Sequence, residues 1–207
     1  MMWGMSPKRI AVIGLKGGVG KTTMTVMLSQ AAADAGEVVT VIDADPQGSA
    51  TAWATNAGDD LAPTVIGQAS AGLARTLDRL DAGASLTVID TPPHEAGGAG
   101  AITAAALAVA DLAIVPVTPA ALDLDRLAAT VALATQAGVP AAVVINRARG
   151  GTRSRAEVVE ALTASDLPVA GTVIPQREAL AQAPLGGKPP TKATGFAELW
   201  AEIKEVL

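Results

Sequence analysis

The sequence predicts an α/β fold: one domain with a doubly wound, mostly parallel sheet and helices on both of its faces. Short apolar runs alternate with helix-compatible segments along the chain, which indicates repeated βαβ units. These runs are continuously apolar, so we expect each strand to be buried on both faces, as in parallel sheets. A length of 207 residues, half of them hydrophobic, suits a single core of this kind.

The first strand is expected at residues 9–15, and a glycine-rich turn leads from it into a helix from residue 21 to about residue 35. Gly36 is expected to close that helix as its C-terminal cap. Because crossovers between parallel strands are right-handed, a doubly wound sheet is the economical topology. Further strands are expected at residues 38–43, 64–66, 86–90, 111–117, 141–146 and 169–174.

The ends of the chain and its loops complete this outline. We expect a loose leader at residues 1–8 and one domain over residues 9–207, with loops at 56–63 and 186–190 where Gly, Pro and Asp are frequent. A final helix is expected to pack on the core. Its apolar residues form one helical face, at positions 196, 199, 200, 203, 206 and 207.

Composition excludes several kinds of site. The absence of cysteine removes disulfides, thiolate nucleophiles, iron–sulfur clusters and Cys-based zinc sites, and the single histidine, His94, excludes a His-rich metal site. The sequence indicates no catalytic or binding role for His94, Trp3 or Trp53. A net charge of −5 lacks the global positive charge of a dedicated nucleic-acid binder, so such binding would need a local patch. No apolar run has the roughly 18 residues of a spanning helix, and residues 1–8 lack a signal peptide's apolar stretch, so we expect a cytoplasmic protein.

The strongest chemical signal is Lys16-Gly-Gly-Val-Gly-Lys-Thr-Thr23, which lies between the first strand and the first helix. Glycines let backbone N–H groups curl around phosphate oxygens, and the helix N-terminus adds positive potential. Lys21 is expected to reach the β- and γ-phosphates, and the Thr22 hydroxyl to bind Mg²⁺. The common pattern G-x-x-x-x-G-K-[ST] demands glycine where this chain has Leu15, so the loop is a variant. The residues expected to bind phosphate are Gly17, Gly18, Val19, Gly20, Lys21, Thr22 and Thr23.

Acidic residues close two of the predicted strands. Asp43 and Asp45 follow the strand at 38–43, at the edge of an open parallel sheet that faces the ligand crevice. One carboxylate suits a place near a metal and the other the holding of an attacking water, while the alternative is an Asx-turn with Asp45 before Pro46. Asp90 ends the strand at 86–90 and suits a water-mediated Mg²⁺ partner, although a strand-terminating Asp before Pro is common in any fold.

Together, Lys16-Gly-Gly-Val-Gly-Lys-Thr-Thr23, Asp43-Ala-Asp-Pro-Gln47 and Ile89-Asp-Thr-Pro-Pro93 resemble the motifs of the deviant Walker ATPases of the ParA/MinD group, which have a P-loop NTPase fold. The resemblance runs from about Arg9 to the C-terminus. The group is set apart by a second lysine at the head of the loop, here Lys16. The resemblance implies that Lys16 contacts ATP bound by the partner in an ATP-dependent homodimer.

The same resemblance implies the other site roles. Lys16, Lys21 and Asp45 would be catalytic, with Asp45 positioning the hydrolytic water. Thr22, Asp43 and Asp90, the last as the Walker B counterpart, would hold Mg²⁺. The family also contacts adenine through an Asn after a late strand and a Pro-containing loop, which fit Asn146 with Arg147 and Pro175 with Gln176. An Asn at a strand end is also a common turn residue.

Features that the chain lacks separate the branches of this group. Iron proteins of the group need cysteine and the related tyrosine kinases need tyrosine, and this chain has neither. MinD-like proteins end in a membrane-binding helix that is usually basic, whereas this final helix carries Glu198, Glu202 and Glu205 against Lys204. Eight residues before the first strand leave no room for an N-terminal helix-turn-helix. The small ParA type, also called ParF-like, remains.

By that resemblance we expect an ATPase that acts as a switch. ATP and Mg²⁺ would assemble a dimer that binds DNA non-specifically on the nucleoid, and a cargo-bound ParB-like or adaptor protein would trigger hydrolysis. The cargo would be a plasmid or chromosome. The alternatives are a protein cargo such as a carboxysome or chemotaxis cluster, a MinD-like membrane switch, and an ATP-dependent amidoligase or synthetase.

The DNA surface is expected in the basic stretch at residues 146–192. That stretch contains seven Lys and Arg residues and four acidic residues, which gives a net charge of +3, whereas residues 1–130 have a net charge of −6. Arg153 and Arg155 lie in its centre. The alternative is a solvated helix face in which Arg153 pairs with Glu157 at i,i+4.

Overall fold

Strands and helices alternate along the chain in the computed structural model, which describes residues 7–93, 98–119, 123–149, 158–162, 164–190 and 194–207. Residues 158–162 are helical, and Gly58–Asp60 form a 3₁₀ turn. The named elements are β1 (Lys8–Val12), α1 (Lys21–Asp34), β2 (Val39–Asp43), α2 (Ser49–Ala57), β3 (Thr64–Gly67), α3 (Leu73–Leu80), β4 (Leu86–Asp90), α4 (Ala99–Leu107), β5 (Leu112–Val117), α5 (Leu124–Gln136), β6 (Ala141–Ile145), α6 (Glu178–Gly186) and α7 (Phe196–Lys204).

The six named strands form one sheet in the order β3-β2-β4-β1-β5-β6, and every pairing within it is parallel. All residues of β2, β4 and β5 are buried, as their continuous apolar runs predict. The strand order reverses at β1, which pairs with β4 on one side and β5 on the other. This confirms the predicted doubly wound α/β fold and places the turn after β1 at its switch point.

Alternate residues of β1, continued by Ile13 directly after it, pack in two separate core layers. Ile10 and Val12 pack in the layer that contains the buried faces of α1, α2, α6 and α7. Ala11 and Ile13 pack in the layer on the opposite face of the sheet, with α3, α4 and α5. Helices therefore cover both faces of the sheet, as predicted.

The predicted strand at residues 169–174 is wrong. Val169 makes one isolated parallel bridge with Val143, and Pro175 makes another with Ala148. Between these bridges, the N–H groups of Gly171 and Thr172 donate to the Glu202 carboxylate at 2.6 and 2.9 Å. The N–H groups of Ala170 and Ile174 still donate to carbonyls of β6, but because a distant side chain takes the donors between them, the pairing is interrupted and no continuous strand forms.

The helix ends agree in part with the sequence. Gly36 has φ of +95°, and its N–H bonds the carbonyl of Ala33 while that of Glu37 bonds Ala32, which is the predicted glycine C-terminal cap. The loop predicted at residues 56–63 is shorter, because α2 extends through Ala57, whose side chain is buried in the core.

The apolar face of α7 packs on the core, as predicted. Phe196, Leu199, Trp200 and Ile203 are buried in the same layer as the side chains of α1. Of the two last apolar residues predicted on this face, Leu207 packs partly buried against the same layer, whereas Val206 is 68% exposed. Among the residues described, no helix combines the length and the apolar character needed to cross a membrane.

A buried ion pair lies near the start of β1. Arg9 in β1 donates from Nε to Asp81 Oδ2 at 2.9 Å, and the Thr87 hydroxyl donates to the same oxygen at 3.1 Å. The side chain of Asp81 is 1% exposed. Arg9 also pairs with Asp78, whose side chain is 88% exposed. One arginine thus has a buried and an exposed partner.

We expect Asp81→Ala to lower the free energy of unfolding by about 3 kcal/mol, because it removes the acceptor of the Thr87 hydroxyl and leaves the Arg9 guanidinium with its exposed partner alone. Asp78→Ala is the matched control and should cost less than about 1 kcal/mol. Urea unfolding followed by circular dichroism measures both. Equal losses in the two variants would contradict the dominant role of the buried partner.

Candidate functional site

The parallel register brings the predicted carboxylates together at one edge of the sheet. Asp43 ends β2 and Asp90 ends β4, and the two residues are partners across the strands. Asp90 is also the partner of Val12, the last residue of β1. The loop from β1 to α1 therefore begins directly beside both carboxylates, as the sequence predicts.

The loop between β1 and α1 has the form of an anion site. Gly18 and Gly20 have φ of +79° and +91°, a backbone region that L side chains rarely adopt. Gly20 is the N-cap of α1 and makes no side-chain cap hydrogen bond. The first N–H groups of α1 are thus without a capping side chain at the positive end of the helix dipole, an arrangement that favours a phosphate group.

The two lysines of the loop have different surroundings. Lys21 is 7% exposed, and its Nζ donates to the backbone carbonyl of Lys16 at 3.3 Å. Burial lowers the pKa of the Lys21 ammonium, while the carboxylates of Asp90 and Asp45 oppose this effect. The Lys16 side chain is exposed. Lys21 therefore faces the carboxylate edge, and Lys16 lies at the accessible head of the loop.

Asp90 joins the end of β4 to the start of α1. The Thr22 hydroxyl donates to its Oδ2 at 2.7 Å, and the Thr25 hydroxyl donates to Oδ1 at 3.3 Å. Burial raises the pKa of the Asp90 carboxyl to about 7, although the bond from Thr22 lowers it. The described ranges contain no cluster of three or more His, Cys, Asp or Glu able to hold a metal. Magnesium at this site would thus need the Thr22 hydroxyl, water and phosphate oxygens, which is its usual donor set beside nucleotides.

Asp43 and Asp45 accept hydrogen bonds from the loop and from the helix α2 that follow β2. Asp43 Oδ2 accepts from the N–H and the hydroxyl of Thr51 at 2.8 and 2.9 Å, and its Oδ1 accepts from the N–H of Asp45 at 3.3 Å. Asp45 Oδ1 accepts from the N–H of Gln47 at 3.0 Å, so the Asx-turn weighed from the sequence is formed. Sequence reasoning missed Thr51, because it lies eight residues beyond Asp43 and belongs to no motif.

Asn146 and Arg147 contact the phosphate loop. Asn146 Nδ2 donates to the carbonyl of Val19 at 2.9 Å, and Arg147 Nη1 donates to the carbonyl of Gly18 at 2.9 Å. The family resemblance assigned these two residues to adenine, and the sequence contained no signal for their contacts with the loop.

The Pro175–Gln176 loop lies next to residues 146–149. The N–H of Gln176 donates to the carbonyl of Ala148 at 2.8 Å, and Arg149 Nε donates to Gln176 Oε1 at 2.9 Å. The residues predicted for phosphate and for adenine are thus parts of one connected site.

Two other residues singled out in the sequence make contacts elsewhere in the described part of the chain. Trp53 is buried, and its Nε1 donates to the carbonyl of Gly187 at 2.7 Å. Lys188, in the basic stretch, pairs with Asp60 at 3.0 Å. Several residues lie outside the described ranges: Trp3, His94, Arg153, Arg155, Glu157 and Lys192.

Comparison with known proteins identifies the family of this chain and a similar relative. Residues 10–190 match the model of the CobQ/CobB/MinD/ParA nucleotide binding domain. The chain is similar to the maintenance of carboxysome distribution protein A of Gloeobacter kilaueensis, with 40% identity over 156 residues that cover 75% of this chain and 69% of that protein.

Two solved structures share the fold at low sequence identity. A putative plasmid partition protein from Borrelia burgdorferi bound to AMPPNP has a TM-score of 0.76 at 20% identity, covering 97% of this chain and 98% of that one. Cobyrinic acid a,c-diamide synthase from Mycobacterium smegmatis, with bound ADP and magnesium, has a TM-score of 0.74 at 21% identity, covering 96% and 94%.

The raised pKa of Asp90 predicts a pH-dependent stability. The folded protein holds the Asp90 proton up to about pH 7, whereas the unfolded chain loses it near the ordinary pKa of 3.8. The stability associated with the neutral carboxyl is therefore fully present below pH 3.8 and is lost as pH rises through about 7. The free energy of unfolding, measured with urea in EDTA and without nucleotide, should thus fall more between pH 5 and pH 8 in the parent than in Asp90→Asn, by roughly 2 kcal/mol. Asp59→Asn, at an exposed carboxyl, should follow the parent. Parallel pH profiles for parent and Asp90→Asn would contradict this burial effect.

Proposed function

The chain belongs to the CobQ/CobB/MinD/ParA family of nucleotide-binding domains, and we propose that it is an ATP-driven switch of the ParA type that positions a cargo. The observation that carries this proposal is the loop at the start of α1, with buried Lys21 and the Thr22–Asp90 pair behind it. Structural neighbours that hold ADP with magnesium and AMPPNP support ATP and Mg²⁺ as its ligands.

In the proposed site, the chain binds phosphate through the backbone N–H groups of residues 17–20 and through Lys21. The Thr22 hydroxyl holds Mg²⁺, with Asp43 and Asp90 behind it as water-mediated partners. Asp45 orients the attacking water. Asn146, Pro175 and Gln176 form the adenine side of the site. When bound, ATP would supply the phosphoanhydride bond that is cleaved. Mg²⁺ would neutralise the charge on the phosphate oxygens while the γ-phosphoryl group is transferred to water.

The switch is a change of oligomeric state. Lys16 is exposed at the head of the loop, while its own backbone carbonyl accepts a bond from Lys21. In the proposed ATP-bound homodimer, Lys16 of each copy reaches the nucleotide held by the other. Hydrolysis removes the γ-phosphate and with it the charge that holds the two copies together.

The proposed dimer binds DNA without sequence preference and gathers on the nucleoid, and a cargo-bound ParB-like or adaptor protein stimulates hydrolysis. The cargo is a plasmid or chromosome, or a protein assembly. The relative at 40% identity, whose name refers to carboxysome distribution, favours the protein assembly.

Two other functions have less support. A MinD-like membrane switch would use the last helix, but the apolar residues of α7 are buried against α1. A synthetase on this fold is represented by the cobyrinic acid enzyme, whose 21% identity reflects the shared fold alone.

Lys21→Ala should weaken ADP and ATP binding about 100-fold, because the cation facing the β- and γ-phosphates is removed. Lys8→Ala is the control, since it removes one positive charge at an exposed position far from the loop. Isothermal titration calorimetry measures both variants after circular dichroism has shown that they are folded. An unchanged affinity for ADP and ATP in Lys21→Ala would contradict the assignment of Lys21 to a phosphate-binding site.

Lys16→Ala should bind ATP within about threefold of the parent and fail to form the ATP-dependent dimer, because the lysine acts on the second copy's nucleotide. Light scattering with a slowly hydrolysed ATP analogue reports the dimer, and Lys8→Ala again serves as control. A dimer of unchanged stability would make Lys16 an ordinary surface lysine.

DNA binding should require ATP and fall steeply with salt, with a slope of log K against log salt near −0.9 for each phosphate contact. Replacing Arg153 and Arg155 by Ala should flatten this slope for every sequence alike. Co-sedimentation with plasmid DNA and with anionic liposomes, each in ATP and in ADP, distinguishes a DNA-binding switch from a membrane-binding switch. Equal DNA binding in both nucleotides, or binding to liposomes instead, would contradict the DNA switch.

A further inference from the structure

Arg147 has an unusual backbone conformation. Its φ is +55°, and it is the sole non-glycine residue with positive φ in the described part of the chain. This left-handed region crowds the Cβ of an L residue and costs free energy, so it persists where the surroundings enforce it. An exposed arginine at the mouth of the proposed site is therefore held against its own preference.

Two hydrogen bonds enforce this conformation. The N–H of Arg147 donates to Asn146 Oδ1 at 2.9 Å, and Arg147 Nη1 donates to the carbonyl of Gly18 at 2.9 Å. The guanidinium lies across Gly20, since a Cβ added there would be 3.5 Å from Arg147 Nη2 and 3.6 Å from Nε. The left-handed turn thus directs the arginine back over the phosphate loop.

The bond to Gly18 also sets the direction of the following N–H group. In a planar trans peptide unit, the C=O of one residue and the N–H of the next point in opposite directions. With the Gly18 carbonyl turned to Arg147, the N–H of Val19 points away from the guanidinium. The bond from Asn146 Nδ2 to the Val19 carbonyl has the same effect on the N–H of Gly20.

Two consecutive carbonyl groups are in this way turned outward, onto the side chains of residues 146 and 147. A carbonyl oxygen turned inward would repel a phosphate, whereas the N–H groups now on that side attract it. The crowding at Gly20 has the same origin: a Cβ there would lie 2.6 Å from Asn146 Nδ2, so only glycine fits beneath these two side chains.

We propose that Arg147 is a positioning residue that holds the phosphate loop in its phosphate-receiving conformation, rather than an adenine contact. This assignment rests on the proposed function of the site. It predicts an effect confined to ligands that carry phosphate, because the guanidinium acts on the backbone of residues 18 and 19. An adenine contact would instead affect adenosine and ADP alike.

Arg147→Gly is the decisive variant, because glycine adopts the left-handed conformation without strain while removing the guanidinium. We expect its thermal stability to equal or exceed that of the parent. We expect its Kd for ADP to rise about tenfold and its Kd for adenosine to stay unchanged. Calorimetry measures ADP, and ligand-observed NMR measures adenosine.

Arg147→Lys and Arg79→Ala complete the set. Arg147→Lys keeps a donor that can reach the Gly18 carbonyl and should recover ADP affinity to within about threefold of the parent. Arg79→Ala removes an equal charge from the exposed face of α3 and should leave both affinities unchanged. Faster amide hydrogen exchange at Val19 in Arg147→Gly would report the loosened loop directly.

The outcomes separate this assignment from the function on which it rests. Unchanged ADP affinity in Arg147→Gly, or parallel losses for ADP and adenosine, would overturn the positioning role and leave the nucleotide site intact. Failure of the parent itself to bind ADP or ATP would overturn the proposed function and this assignment together.

Discussion

The hydrogen bond from Thr22 to Asp90 joins the start of α1 to the end of β4, and the rest of the site is arranged around it. The parallel register sets the partner residues of β1 and β2 beside Asp90, so the loop after β1 has fixed ends at Val12 and Lys21. Within those limits the backbone must turn tightly, and the left-handed Gly18 and Gly20 allow it to do so. The chemistry of the loop therefore follows from sheet geometry.

A second set of contacts ties the end of β2 to the opposite side of the site. Thr51 binds Asp43 through both its N–H and its hydroxyl, and it belongs to α2. From the same helix, Trp53 binds the Gly187 carbonyl just beyond α6. The residue that ends β2 and the residue just beyond α6 are thus both in contact with one short helix, α2.

Sequence patterns predicted the layers, the six paired strands and the glycine-rich turn between β1 and α1, because these depend on local apolar runs and on contiguous motifs. They failed at residues 169–174, where an apolar run looks like a strand but Glu202, some thirty residues later, takes two of its N–H groups. They also missed Thr51 and the loop contacts of Asn146 and Arg147. Asn146 and Arg147 bind backbone far away in sequence, and Thr51 lies outside every motif, so no periodicity or motif predicts these contacts.

A cobyrinic acid a,c-diamide synthase and a putative plasmid partition protein share this fold, so the fold alone does not decide the function. Lys21 is buried among carboxylates that compensate its charge, whereas Lys16 is exposed five residues earlier. An exposed lysine at the head of a phosphate loop gains little from its own chain, because solvent screens it. In the proposed dimer it would gain much more, because a second copy would bring a triphosphate against it and exclude water, and Coulomb attraction strengthens as the local dielectric falls. The same lysine would then contribute little in a monomer and much in the proposed nucleotide-bound dimer, which is the property that the proposed switch requires.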